Sequence, residues 1–190
     1  MTVHLVGAGP GDPGLITVRG LELVRACDAL VYDRLVAREL VGEAPTDALR
    51  IPRAGLDQDA INRLLVDLGR RGLEVVRLKG GDPYVFGRGG EEALALAAAG
   101  VPFEVVPGVP SIAAVPAAAG IPVTHRGAAD TVTVATGHAA GGGEPDYAAL
   151  ARTGGTLLFF MALERAERIA AGLVDAGLDP ATPAAIVSRG

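Results

Sequence analysis

The stretch Arg77-Leu-Lys-Gly-Gly-Asp-Pro-Tyr-Val-Phe-Gly-Arg-Gly-Gly90 decides how this chain reads. It follows the apolar run at residues 73–76, so it sits where a buried strand leaves its sheet. It gathers glycines, Asp82 and two flanking arginines into one turn region, with the chain's sole lysine, Lys79, just inside it. A second loop of the same kind, Gly7-Ala-Gly-Pro-Gly-Asp-Pro-Gly14, follows the strand-like residues 3–6. Glycine at such positions lets main chain approach a ligand closely. Two glycine-rich loops at the carboxyl ends of parallel strands describe a crevice built for a small molecule. They predict an enzyme and say where its site lies.

Outward from these loops, strand and helix patterns alternate. Leu15, Val18, Leu21 and Val24 recur at helical spacing, with Arg19, Glu22 and Arg25 opposite. Residues 29–32 read as a second buried strand ending at Asp33-Arg34. A short helix follows over 36–43, then a weak edge strand at Arg50-Ile51, cut off by Pro52. Ile61, Leu64, Leu65 and Leu68 share one face of a helix over 58–71, with Gly72 as its C-cap. Glu91-Glu92 open an Ala/Leu-rich helix at its positive end, Gly100 closes it, and 103–106 form a fifth strand. Single helices between strands imply parallel pairing with right-handed crossovers.

Pro107-Gly-Val-Pro110 marks a boundary, giving an N-terminal α/β domain at 1–108 and a C-terminal α/β domain at 109–190. The second domain reads as a short Ala-rich helix, strands at 131–135 and 156–160, a helix over 164–176 and the start of a strand at 183–187. Its sheet is expected to be mixed. Ending directly after a strand leaves an edge uncovered, so the second domain is expected to be incomplete or to rely on a partner chain.

Composition narrows the function. Of 190 residues 49% are apolar, the net charge is −5 and mean hydropathy is +0.36. No Lys/Arg block exists, which argues against a nucleic-acid partner. The fixed cations are 16 Arg against one Lys, a group suited to bidentate carboxylate binding. Apolar runs fall far short of the ~20 residues that span a bilayer, and the first residues lack signal-peptide features, so the expected location is the cytoplasm. Cys27 stands alone and reads as an inert buried thiol. His4, His125 and His138 lack the spacing of a metal site. His4 reads as a strand residue and His138 as a loop residue. His125, placed after a strand, either lines a site or does not.

The loops and carboxylates each carry two readings. Gly7-x-Gly9 invites a dinucleotide, but Asp12 stands where the third glycine belongs and Pro10 has no N–H for a pyrophosphate. A ligand with a positive centre and no phosphate suits this loop better, and S-adenosylmethionine has both properties. Asp33, at a strand's carboxyl end, is either a catalytic carboxylate or an N-cap. Asp82 is a turn former or a ligand-orienting group. Arg88 and Arg126 are surface charges or anion receivers.

These segments, in this order, resemble the tetrapyrrole methyltransferases. The resemblance rests on Val6-Gly-Ala-Gly-Pro-Gly-Asp-Pro13 with Ile16-Thr17, Tyr32-Asp-Arg-Leu-Val36, Arg77-Leu-Lys-Gly-Gly-Asp-Pro83 and Phe86-Gly-Arg-Gly-Gly-Glu-Glu92. It continues through Val106-Pro-Gly108, Ala119-Gly-Ile-Pro122 and Thr124-His-Arg126, from about residue 3 to the end. It implies a two-domain α/β protein, a homodimer, with the active site in the trough between domains. The implied reaction moves two methyl groups from S-adenosylmethionine onto ring carbons of uroporphyrinogen III, giving precorrin-2, toward sirohaem and cobalamin. Residues implied for the cofactor are Pro10, Gly80, Gly81, Asp82, Val85, Pro110, Ser111, Met161 and Gly190. Asp33 falls on the proton-acceptor position. Arg34, Arg88 and Arg126 are well-typed receivers for some of the substrate's eight carboxylates.

Three departures accompany the resemblance. The family's Lys after the third strand is absent from Arg50-Ile-Pro-Arg-Ala-Gly55, and Arg53 cannot readily donate a proton. The glycine-rich loop before Gln58 is short. Relatives continue past Gly190. Competing readings are another corrin-pathway C-methyltransferase, a non-catalytic cofactor- or tetrapyrrole-binding remnant, and a nicotinamide oxidoreductase, the last disfavoured by Pro10 and Asp12.

Overall fold

The structure, a computed structural model, describes residues 1–137 and 143–187. His138 and Gly190 lie outside the described residues. The chain divides into two compact units, Met1–Ala114 and Val115–Gly190.

The first unit is a five-stranded, all-parallel sheet in the order β3-β2-β4-β1-β5. The strands are β1 (Val3–Gly7), β2 (Ala29–Tyr32), β3 (Leu49–Pro52), β4 (Val75–Lys79) and β5 (Phe103–Val106). Helices α1 (Val18–Ala26), α2 (Arg38–Gly42), α3 (Gln58–Arg70) and α4 (Gly89–Ala98) connect them. Every residue of β1 and β4 is buried, as expected where helices cover both faces of a parallel sheet. The predicted edge strand is β3, the most exposed of the five.

Period-two alternation sorts the strand side chains onto two cores. Val6, Leu30, Val76 and Leu78 pack with Val24 of α1 and Leu40 of α2. Val3, Leu5, Val31 and Val75 face Ile61, Leu65 and Leu68 of α3 and Leu96 of α4. Burying each such side chain contributes roughly 1.5–3 kcal/mol. Local signals set the helix starts: Thr17 caps α1 by accepting from the Gly20 N–H, and Asp57 caps α3 by accepting from the Ala60 N–H.

In the second unit β6 (Val132–Thr136) and β7 (Thr156–Phe160) pair in parallel across α6 (Tyr147–Thr153), and α7 (Ala166–Asp175) follows a 3-10 turn at Leu163–Arg165. Ile169 and Leu173 are the buried face of α7. Helix α5 (Ser111–Ala118) contains the division between the units, six residues past the expected 108/109 position. Two expectations are corrected. Among the described residues this sheet is one parallel pair, with no antiparallel strand to make it mixed. Residues 183–187 form no strand, because no neighbouring strand pairs with them, and Ile186 is exposed. No helix among the described residues is long and apolar enough to cross a membrane.

Candidate active site

The two glycine loops leave adjacent strands and zip together. Ala8 N–H donates to the Lys79 carbonyl at 2.7 Å, Gly81 N–H to Gly9 at 2.7 Å, and Gly9 N–H to Gly81 at 3.2 Å. The turn after β5 joins them. A Cβ on Gly7 would stand 2.5 Å from the Gly108 Cα and 2.6 Å from the Gly81 carbonyl oxygen. Three backbones therefore meet where no side chain fits, and the carboxyl ends of β1, β4 and β5 form a main-chain floor.

Asp82 braces that floor with both oxygens. Oδ1 accepts from the Tyr84 N–H at 2.8 Å and Oδ2 from the Gly108 N–H at 3.0 Å. The turn-forming reading of Asp82 is thus realised, together with a clamp onto the β5 turn that sequence spacing did not reveal. Pro10, Gly80, Gly81 and Val85 are half-buried around this floor. The Pro110 carbonyl accepts from Ala113 at 3.1 Å and starts α5, which places Ser111 at the helix N-terminus. Phe86 (φ 53°) and Arg88 (φ 59°) hold left-handed backbone, conformations that cluster at ligand-binding loops.

Asp33 stands at the carboxyl end of β2. It does not cap α2, whose N-cap is Ala37 without a side-chain bond. Its Oδ1 instead accepts from Arg77 Nη2 at 2.6 Å. The register that sets Val31 beside Arg77 across β2 and β4 puts both side chains on the α3/α4 face. Arg77 is 1% exposed, Lys79 2% and Glu92 0%. Glu92 Oε1 accepts from Arg77 Nε at 3.0 Å and from Lys79 Nζ at 3.0 Å. Gln58 Nε2 adds a longer contact at 3.4 Å. Two buried cations are thus neutralised by Glu92 beneath the loop and Asp33 at its mouth. Burial, followed by the neighbouring Arg77 charge, holds the Lys79 ammonium below its ordinary value of 10.5 against the opposing pull of Glu92.

Sequence reasoning missed this network. Glu92 reads as a residue favourable at a helix N-terminus, and it does occupy the first turn of α4. The available signal was a pair of cations at alternate positions of a run otherwise apolar enough to be buried, which requires an anion.

The expected carboxylate receivers differ in readiness. Arg88 already holds Glu91 through two 2.7 Å bonds at the surface, and the hydrogen bonding it donates to the Glu91 carboxylate raises its pKa. Arg34 is exposed and has no side-chain partner among the described residues. Arg53 follows β3, and its Nε is buried without an acceptor among the described residues. In the second unit, Arg126 lies in a tight turn closed by the His125–Ala129 bridge. His125 therefore follows no strand, and its ring Nδ1 lies 3.0 Å from the Arg126 carbonyl oxygen. Met161, directly after β7, is exposed with φ 51°. Cys27 is buried, and burial pushes its thiol up to about 11.

Arg34, Arg53, Ala54, Gly55 and Leu56 line an open cavity of about 270 Å³. A larger depression of about 390 Å³, between α3 and α4 and lined by Asn62, Arg63 and Asp67 among others, carries none of the strand-end residues.

Comparison with known proteins points one way. The model of one protein family, Tetrapyrrole (Corrin/Porphyrin) Methylases, matches residues 2–190. Siroheme synthase 2 of Cronobacter sakazakii is 48% identical over 194 residues, covering 99% of this chain and 42% of its own length. The chain thus spans about two-fifths of the siroheme synthases it matches. The uroporphyrin-III C-methyl transferase of Thermus thermophilus complexed with S-adenosyl homocysteine superposes with a TM-score of 0.84 at 46% identity, over 95% of this chain and 78% of that one. A cobalt precorrin-4 methyltransferase gives 0.84 at 31% identity, over 93% and 75%.

Proposed function

The chain belongs to the tetrapyrrole (corrin/porphyrin) methylases, and from that membership we propose that it transfers methyl groups from S-adenosylmethionine to ring carbons of uroporphyrinogen III, giving precorrin-2 for sirohaem or cobalamin biosynthesis. The observation that carries the reading is the bare main-chain floor at the ends of β1, β4 and β5, with the Asp33 carboxylate at the adjacent mouth of β2.

The residues suit the cofactor. A floor without side chains admits a nucleoside against main chain, and Pro10 offers no N–H to a phosphate. Asp12 adds a carboxylate, tied to the Gly14 N–H at 2.7 Å, which disfavours pyrophosphate and tolerates a sulfonium. Gly80, Gly81, Val85, Pro110 and Ser111 are the proposed contacts, with Asp82 bracing the loops. S-adenosylmethionine, when bound, supplies an electrophilic methyl group.

The chain's own residues orient the other partner. Holding a pyrrole carbon in line supplies much of the rate. Arg34, Arg88 and Arg126 grip substrate carboxylates through charge-assisted bonds. Attack leaves positive charge on the pyrrole, and Asp33 stabilises it or takes the ring proton. With Oδ1 held by Arg77, Oδ2 is the atom that receives it. No donor role falls to Arg53. The reading includes a homodimeric, cytoplasmic enzyme; sedimentation and cell fractionation address those two parts.

Anaerobic incubation with uroporphyrinogen III and S-adenosylmethionine, followed by mass analysis, tests the proposal. One or two added methyl groups are expected. A second reading, methylation of a later corrin intermediate, is favoured by the likeness to the cobalt precorrin-4 methyltransferase. Turnover of a precorrin with none of uroporphyrinogen III would select it. No turnover of either, with adenosylhomocysteine still bound, would leave a binding remnant.

A further inference from the structure

Arg53 poses a question that the methyl-transfer chemistry leaves open. Its backbone N–H donates to the Tyr32 carbonyl at 2.9 Å, which fixes it across from Asp33 at the mouths of β2 and β3. A turn closes immediately behind it, with Leu56 N–H donating to the Arg53 carbonyl at 3.0 Å. Its Nε is one of only two buried side-chain polar atoms among the described residues that lack a partner. A buried donor without an acceptor is costly, and native structures leave few of them.

Arg34 faces the same cavity of about 270 Å³, whose other lining residues are Ala54, Gly55 and Leu56. No acidic side chain lines it, and neither guanidinium has a side-chain partner among the described residues. Arg19 is answered by Glu104, Arg25 by Glu43, Arg50 by the Ala44 carbonyl and Arg77 by Asp33 and Glu92. Arg38, Arg63, Arg70 and Arg71 also lack a side-chain partner among the described residues; what sets Arg53 apart is that its partnerless Nε is buried. Two like charges on one cavity, one with an orphaned donor, repel until an anion sits between them.

We infer that Arg34 and Arg53 together form a binding site for one alkyl carboxylate. The two planar forks grip the carboxylate head, and Ala54 and Leu56 give the methylene arm an apolar wall. In one respect the inference rests on the proposed function: the carboxylate is an acetate or propionate arm of the tetrapyrrole. Gripping that arm beside Asp33 sets which ring carbon comes to the site, so the pair determines orientation as well as affinity. Arg53 thereby acts as a specificity residue.

Modification of arginines by phenylglyoxal, mapped by peptide mass analysis on the whole chain, tests this directly. Uroporphyrin III, the fluorescent oxidised octacarboxylate, is expected to protect Arg34 and Arg53 together, and propane-1,2,3-tricarboxylate to protect them at higher concentration. Protection by the tricarboxylate without protection by the porphyrin would uphold the pair while removing the tetrapyrrole. Protection by neither, or by inorganic phosphate as effectively as by the tricarboxylate, would overturn the inference.

A fluorescence titration supplies the magnitude. Arg53→Gln is expected to weaken uroporphyrin binding about tenfold to a hundredfold, while calorimetry with adenosylhomocysteine stays unchanged and shows the fold intact. Arg34→Gln with Arg53→Gln should lose less than the product of the two single effects, because both hold one group. Unaltered porphyrin affinity in Arg53→Gln, or strictly multiplicative losses, would refute a shared site.

Discussion

At the residue scale, burial sets the chemistry of the charges. Glu92 is fully buried and is the nearest anion to Lys79 and a partner of Arg77, while its Oε2 has no partner among the described residues. Removing its charge strands the buried Lys79 and leaves Arg77 with Asp33 as its remaining anion. Glu92→Gln is expected to cost about 3–5 kcal/mol of unfolding free energy, measured by urea titration, far more than an exposed Glu91→Gln. Asp33 differs, because it is reached from solvent and its partner Arg77 keeps Glu92. Asp33→Asn is expected to lower kcat about 10²–10⁴-fold with adenosylhomocysteine affinity retained. Equal loss of cofactor binding would move Asp33 from proton chemistry to structure. Cys27 makes the reverse point: with its thiol pushed up to about 11 by burial, alkylation by iodoacetamide should require unfolding.

At the element scale, the strand ends dictate what the loops can be. Gly7, Gly81 and Gly108 belong to three segments whose backbones touch, and a Cβ on Gly7 would meet main-chain atoms of both others. Backbone cannot swing aside as a side chain does. Gly7→Ala is therefore expected to cost about 1–3 kcal/mol and to weaken adenosylhomocysteine binding in the same variant, read by denaturation and calorimetry. Much of this organisation was legible in the chain itself. Residues 103–106 match β5 and 156–160 match β7, since short apolar runs between turn formers leave little choice. Strand 183–187 failed for the complementary reason, since an apolar run becomes a strand only when a neighbour receives its hydrogen bonds.

At the scale of the whole molecule, the amino ends of the strands hold a second charge cluster, opposite the site. His4 lies 2.8 Å from Glu74 and 2.7 Å from Glu104, with the N-terminal amine on Glu74 and Arg19 on Glu104. The His4 hydrogen bond holds the Glu74 carboxyl below its ordinary 4.5. Burial pushes Glu104 up, but the bonds from Arg19 and His4 outweigh it and leave that carboxyl lowered as well. Carboxyls lowered in the folded state contribute stability above about pH 4.5, and that stability is lost as pH falls through their folded values. The urea midpoint should accordingly drop in acid, and Glu74→Gln should flatten the profile. Both groups are about a third or more exposed, so added salt should shrink the effect. Ligand linkage gives a global test: adenosylhomocysteine at 100 times its Kd is expected to add about 2.7 kcal/mol, with no thermal shift from a dinucleotide.

Composition, turn residues and apolar periodicity, all properties of neighbours along the chain, determined the alternating α/β architecture, the two glycine loops and the placing of Asp33 at a strand end. Tertiary structure alone decided which charges are buried and whom they meet. Asp33 touches Arg77, 44 residues away, because β4 lies beside β2 in the sheet, an adjacency set by strand order rather than by succession. The same holds for Glu92 beneath Lys79 and for the Gly108 N–H on Asp82. Pairing energies fall steeply with distance and rise with burial, and both quantities exist only once the strands have taken their order.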